Sequence, residues 1–411
     1  MRRTSVLGLL LAPATALSAS CGARTEAGPS FQVRDSAGVE IVTSTAPAWS
    51  ERETWSVDPA PRLVLGGGSA DTGEELWDIR ALAVLPGERT AVALGTAGEV
   101  RIYDAEGARV LTIGADGDGP GEFRDPRGLA LQPPDTLLVL DRERIQTFLL
   151  DGTLLATTRL PPPNSVDASA YAFPMNILPD RSVLAVVSRG PSELPSGIFR
   201  PDQGAAVYGP TGTTTLLGWG RGIEQEMLGE GARVMPIVAP FARYGHLTAG
   251  GSAPYRYAVA DNGTYEIRIF DGSGAVRQIV RRIVEPVPVQ TGWVEAWKEE
   301  QRQASWTQRR LPDLERGWSS MTVNETLPAF ERFLVDQQDH LWVEQVRPTS
   351  VGPTRYDVFA PEGRYLGSVT LPDGYRPIPE PVITRDRFVG VWADAMDVET
   401  VRVYALRTPV G

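Results

Sequence analysis

Four acids close short apolar runs in this chain: Asp141 after Leu137–Leu140, Asp261 after Tyr257–Ala260, Glu344 after Leu341–Val343, and Asp394 near the end of Val389–Ala393. Arg142 and Asn262 directly follow two of them. Carboxylates gathered from such positions could hold a cation or a basic ligand, since hard oxygens suit calcium. The simpler reading of each residue alone is a solvated turn acid. Other chemistry is sparse. His246 and His340 are the only histidines, and no G-x-S-x-G elbow supports a hydrolase triad. Neither H-E-x-x-H nor a cysteine pair is present, so an ordinary zinc site has no support. Asp116, Asp118 and Glu122 alternate as in a calcium loop, but their order does not fit an EF-hand. The glycines at 66–68 and 114–121 do not lead from a strand to a helix with a following lysine, so they are not phosphate loops.

The elements that would position these residues repeat. Five times an aromatic residue precedes a glycine by four places: Tyr103 and Gly107, Phe148 and Gly152, Tyr208 and Gly212, Phe270 and Gly274, Phe359 and Gly363. An alternating strand runs into each aromatic, and several glycines are followed by a second strand, which is the pattern of a hairpin. Tyr404 ends a similar strand without a return strand after it. Two more short strands lie upstream of each hairpin. Four antiparallel strands per unit predict a blade of a β-propeller.

The fold class is therefore all-β, a six-bladed β-propeller over residues 62–411. Blades are expected near 77–114, 123–159, 171–218, 241–282, 327–370 and 381–406. The last lacks its outer strand, and Arg62–Gly66 is expected to supply it against Val401–Tyr404, leaving no open edge at the seam. In a propeller, equivalent strand ends converge on one face, which would draw Asp141, Arg142, Asp261, Asn262, Glu344 and Asp394 around one mouth of the channel.

The run Gly114–Phe123, then Pro126–Ala130, Leu138–Asp141 and Arg144–Phe148 resembles an NHL repeat, whose signature reads G-x-G-x-G-P-G-E-F, P-x-G-L-A, V-x-D and R-I-Q-x-F. The match covers residues 114–152; other blades share only the rhythm. The chain also resembles six-bladed propeller lipoproteins of bacteria, with Phe31–Val42 as their typical opening hairpin. NHL-type lyases hold zinc with several histidines, which two histidines cannot supply. Calcium-dependent lactonases on six-bladed propellers use Glu, Asn and Asp near the axis, which makes a hydrolase the alternative to simple binding.

Two stretches interrupt the period: Arg189–Gly204 reads as a long Pro/Gly loop within blade three, and Trp219–Pro240 as the link between blades three and four. Trp293–Arg316 is rich in Glu, Gln, Arg and Trp. It predicts a helical insertion at about 291–318, with Thr291 as N-cap and Pro312 as breaker. Packing on the ring is its plain role; a lid or partner surface is the other.

The N-terminus reads as a secretory leader over residues 1–20: Arg2 and Arg3, then apolar Val6–Leu11, then small residues. Cys21, the only cysteine, stands at its end and resembles the lipidated cysteine of a bacterial lipobox, with Leu17 one place earlier than the pattern prefers. Ordinary cleavage nearby, leaving a free thiol, is the alternative. Residues 21–30 then form a tether and 31–61 a hairpin and linker. The net charge of −11 argues against nucleic acid. The expectation is a monomeric outer-membrane lipoprotein of the cell envelope, touching the membrane only through its lipid. It would bind a protein or glycan partner without catalysis and without a required cofactor, with calcium as the one candidate ion.

Overall fold

The computed structural model describes residues 30–408 apart from 51–52, 68–73, 163–165, 167–168, 191–196, 229–234, 305–310, 350–351 and 395. The leader, most of the tether and Cys21 lie outside the described residues.

The chain is an all-β six-bladed propeller. Blade one is Ile79–Leu85, Arg89–Leu94, Glu99–Tyr103 and Arg109–Ile113. Blade two is Pro126–Gln132, Thr136–Asp141, Arg144–Leu149 and Leu154–Arg159. Blade three is Tyr171–Ile177, Val183–Arg189, Asp202–Tyr208 and Thr214–Arg221. Blade four is Gly245–Gly250, Arg256–Asp261, Glu266–Phe270 and Val276–Arg282. Blade five is Phe333–Val335, Leu341–Glu344, Arg355–Phe359 and Tyr365–Thr370. Each blade is antiparallel, so its first and innermost strand begins at the face where its second strand ends. That face is called the entry face below.

The repeated glycine has a backbone reason. Gly107, Gly152, Gly212, Gly274 and Gly363 all take φ between +83° and +92°, a region that side chains disfavour. Each donates its N–H three residues back, as Gly152 does to the Leu149 carbonyl at 3.0 Å. The partner aromatics Tyr103, Phe148, Tyr208, Phe270 and Phe359 are all buried. The pair thus fixes a turn and drives its strand inward.

Blade six closes the ring. Its innermost strand is split into Tyr375–Arg376 and Val382–Ile383, starting earlier than the sequence suggested. Arg387–Ala393 and Glu399–Arg407 follow, and the fourth strand is Leu63–Gly66, with Leu65 opposite Val401. Six apolar clusters fill the six gaps between neighbouring blades. The one between blades six and one contains Leu65, Val401, Ile79 and Val92. Burying a leucine such as Leu65, 1% exposed, contributes about 1.5–3 kcal/mol.

The N-terminal hairpin, Phe31–Ser36 with Val39–Ser44, joins blade four, where Val39–Ser44 lies parallel to Val276–Arg282. The following chain crosses blade five, where Trp49 N–H donates to the Leu366 carbonyl at 2.8 Å. A Cβ on Gly367 would come within 2.3 Å of the Trp49 ring, so this crossing needs glycine there. Ser56–Val57 then pairs with Leu406 and Arg407 on blade six. The N-terminal segment is a belt over three blades.

The expectations for the two interruptions and for the helical insertion are corrected. The interruptions at 189–204 and 219–240 are not simple loops. Gly197–Phe199, Gln225–Leu228 and Met235–Ile237 form a three-stranded antiparallel sheet outside the blades. The insertion after blade four holds two helices, α1 (Thr291–Gln303) and α2 (Leu311–Trp318). Gln290, not Thr291, is the N-cap residue of α1, and it makes no side-chain cap. Pro312 does not break a helix; it is the second residue of α2, where the missing N–H is harmless. Trp297 and Trp318 meet edge to face at 5.6 Å and hold the helices together.

Candidate functional site

The six residues singled out from the sequence lie at the entry-face ends of second strands, but among the described residues no hydrogen bond or ion pair joins any two of them from different blades. Each is held within its own surroundings. Asp141 is buried and accepts the backbone N–H of Arg124 at 3.0 Å and of Asp125 at 2.7 Å, and Arg144 Nε at 2.9 Å. Arg142 is a turn residue with φ +52°. Asp261 accepts the Gly263 N–H at 2.8 Å and pairs with Arg200 at 2.8 Å. Asn262 is fully buried; its Oδ1 accepts Tyr244 N–H and its Nδ2 donates to the Phe330 carbonyl. Asp394 accepts the N–H groups of Met396 and Val398.

Glu344 differs. It is buried, with Arg332 at 3.1 Å and Arg347 at 3.8 Å. The Arg332 contact is an ion pair without hydrogen-bond alignment, because Arg332 Nε and Glu344 Oε2 both lack a hydrogen-bond partner. Burial pushes the Glu344 carboxyl up to about 7, against the pull of Arg332. Next to it the Tyr244 hydroxyl donates to Glu331 Oε2 at 2.8 Å and lies 2.5 Å from the Glu331 carbonyl. The phenol is pushed well up, first by burial and then by Glu331.

The NHL-like residues are explained structurally. Arg144 donates to the carbonyls of Asp118 at 2.7 Å and Glu122 at 2.8 Å. Gln146 donates to the Glu122 carbonyl at 2.6 Å and accepts the Gly121 N–H at 2.7 Å. The motif therefore clamps its own glycine loop. Asp116 and Asp118 both pair with Arg124, and Glu122 accepts the Gly119 N–H, so these three acids are engaged without an ion. Both histidines are built into packing. His246 packs 4.5 Å from Tyr244 and 5.7 Å from Phe333, and burial and then Arg332 lower it to about 3, so it stays neutral. His340 pairs with Asp336 at 3.1 Å under the edge of Trp55.

The axis holds what the sequence reading missed. On blade six, the five residues Pro377–Pro381 stand opposite the single Gly390, because Arg376 pairs with Val391 and Val382 with Val389. The excess therefore bulges out of the innermost strand, and Glu380 lies within it. Glu380 crosses there to meet Thr248 Oγ1 of blade four at 3.3 Å and Asn176 Nδ2 of blade three at 3.5 Å. Its side chain is exposed to the lumen yet enclosed by protein, and that enclosure pushes the carboxyl up to about 7. Above it, towards the entry face, Tyr171, Phe173 and Met175 of blade three are about half exposed, while Ala172 and Pro174 between them are buried. The alternation puts these three apolar side chains on the face of the strand away from Ala172, which packs against Ala130 and Leu138 of blade two. The sequence signal was the run of three prolines around Glu380, which no central strand tolerates.

A second recess lies under the helices. A cavity of about 430 Å³ is walled by Ile223, Ile237, Phe241, Trp297, Leu314 and Trp318, with Tyr244 and Glu331 also in its lining. Among the described residues, no group of three or more His, Cys, Asp or Glu is placed to hold a metal ion. No helix among them is long and apolar enough to cross a membrane.

No family model and no curated protein matches the chain. Solved structures do. A putative exported protein from Bacteroides fragilis is 12% identical at a TM-score of 0.45, covering 90% of this chain and 100% of that one. Virginiamycin B lyase from Staphylococcus aureus is 11% identical at 0.39, covering 87% and 100%. A gluconolactonase from Xanthomonas campestris is 12% identical at 0.36, covering 82% and 87%. A likeness of this degree carries no activity over to this chain.

Proposed function

We propose that the protein is an exported propeller, tethered to a membrane by lipid on Cys21, which binds a protein or glycan partner at the entry-face mouth of its channel and does not catalyse. The observation that carries this reading is the contrast at that mouth. The acids that a metal hydrolase would need are engaged by their own turns and arginines, as Asp141 is by Arg124, Asp125 and Arg144. The open wall instead offers Tyr171, Phe173 and Met175, the amphipathic and adaptable side chains that recognition surfaces favour.

The alternative is a calcium-dependent lactonase or other hydrolase, and the two readings separate experimentally. Calorimetric titration with calcium should give no stoichiometric binding. A lactone and ester screen should give no turnover. Turnover that Asp141→Asn or Asp261→Asn abolishes would overturn the binding reading in favour of the enzyme.

A further inference from the structure

The cavity under the helices is chemically one-sided. Among the described residues of its lining, Glu331 carries the only charge. Glu331 is partly exposed, and its carboxylate accepts the Tyr244 hydroxyl at 2.8 Å, a neutral donor that burial keeps protonated. No described cation stands within ion-pairing distance of it. Arg332 acts on it only through space and is paired with Glu344 at 3.1 Å. Four aromatic side chains, Phe241, Tyr244, Trp297 and Trp318, line the same space. The two indoles stand at 70° to each other and form a corner of the wall. Phe241 sits at φ +60°, a left-handed conformation that a bulky residue keeps only where its surroundings hold it. Asn324 holds it here, its Nδ2 lying 3.5 Å from the Phe241 carbonyl and 2.6 Å from Glu224 Oε1. The aromatic wall is therefore set before any ligand arrives.

Aromatic rings beside an unpaired carboxylate suit an organic cation, because ring faces carry negative potential. Trp318 already shows the attraction. The Arg302 guanidinium lies 5.8 Å from its ring centroid, outside the cavity lining, and is itself paired with Glu299 and Glu315. The kind of cation follows from the acceptors present. A divalent metal takes six or more oxygens, several of them charged, and the lining offers one carboxylate. A primary ammonium brings three N–H donors that need acceptors, and Tyr244 already takes part of that carboxylate. A quaternary ammonium brings no donor. It needs negative potential and apolar contact for its methyl groups, which Ile237 and Leu314 add to the aromatic wall. The volume of about 430 Å³ falls within the range of about 300–1,000 Å³ usual for small-molecule pockets.

We infer that this cavity is a binding site for a small quaternary ammonium compound, its trimethylammonium head seated among Phe241, Tyr244, Trp297 and Trp318 and balanced by Glu331. The site is on the entry face, since Tyr244 and Glu331 stand just before the innermost strands Gly245–Gly250 and Phe333–Val335. It goes beyond the reading of the channel mouth and does not depend on it, because none of Tyr171, Phe173 and Met175 lines it.

The test is calorimetry on the full mature chain at fixed ionic strength, with choline as probe. Its neutral isostere is 3,3-dimethyl-1-butanol, its unmethylated form is ethanolamine, and phosphocholine is the form that headgroups carry. The wild type should bind choline saturably at one site. The neutral isostere should bind at least about tenfold more weakly, and Glu331→Gln should weaken choline by a similar factor, the scale of one nearby charge in a partly buried site. Ethanolamine should bind more weakly than choline because of its unmatched donors. Phosphocholine should also bind more weakly, because the lining offers its phosphate no cation. Trp297→Leu should weaken choline about fivefold and the isostere less. That split is one a general loss of structure would not produce, and it covers the case of a poorly folding Glu331→Gln. Equal choline affinity in Glu331→Gln, equal wild-type affinity for the isostere or ethanolamine, tighter binding of phosphocholine than of choline, or no saturable binding of choline overturns the inference. None of these outcomes bears on partner capture at the channel mouth, which is measured separately.

Discussion

Glu380 of blade six and Asn176 of blade three lie 3.5 Å apart, although their blades face each other across the ring. The contact exists because blade six puts five residues opposite one. It bridges the channel partway along its length and places a titrating carboxyl in the lumen.

That carboxyl ties stability to pH. An acid raised in the folded state from 4.5 to about 7 contributes stability that is fully present below 4.5 and is lost as pH rises through about 7. Glu344 is shifted in the same direction. Glu380→Gln should therefore stabilise the protein at pH 8 by about 1 kcal/mol, less than the full shift implies because channel water screens the group. At pH 4 it should change little. Thermal melts at the two pH values test this, and an equal shift at both sinks it.

Asp141→Asn should lower the urea midpoint by the equivalent of about 1–3 kcal/mol, since a buried acceptor of two backbone N–H groups and Arg144 loses its charge. An unchanged midpoint would contradict the assignment of Asp141 to the turn.

Much of this architecture was legible in the sequence because it rests on local rules. The aromatic and glycine four apart is one turn repeated, so Phe148 and Gly152 announce a hairpin wherever they fall. The closing strand was readable because Arg62–Gly66 copies the pattern of Val110–Gly114. The outer sheet was not readable, since Gly197–Phe199 and Gln225–Leu228 pair across an entire hairpin of blade three. Glu380 was missed for a related reason. Its position depends on a mismatch of register between two strands, and neither strand records that mismatch alone. Asp141 and Asp394 were correctly placed at strand ends, but an acid that caps a turn and an acid that waits for a ligand look the same in sequence.

The belt and the closing strand should separate by truncation. Deleting 21–45 removes the hairpin on blade four, including buried Ile41 and Val42, each contributing about 1.5–3 kcal/mol. The ring should still fold, with a lower melting temperature. Deleting 21–68 also removes Leu63–Gly66 and opens the edge at Glu399–Arg407, so it should aggregate. Matching melting temperatures for the two truncations would refute closure by this strand.

Cys21→Ser should move the protein from the membrane to the soluble fraction, because a multiply acylated cysteine is the only anchor proposed. A variant that stays with membranes, beside an unlipidated wild type by mass spectrometry, would end the tether proposal.

The central claim is that partners are taken at the entry face. Photo-crosslinking in intact cells tests it most directly, with Tyr171→p-benzoylphenylalanine at the entry-face mouth and Asp151→p-benzoylphenylalanine in the exposed turn on the opposite face. The account predicts a discrete protein or glycan adduct from position 171 that is absent from position 151. Adducts from position 151 alone, or the same adducts from both, would contradict it.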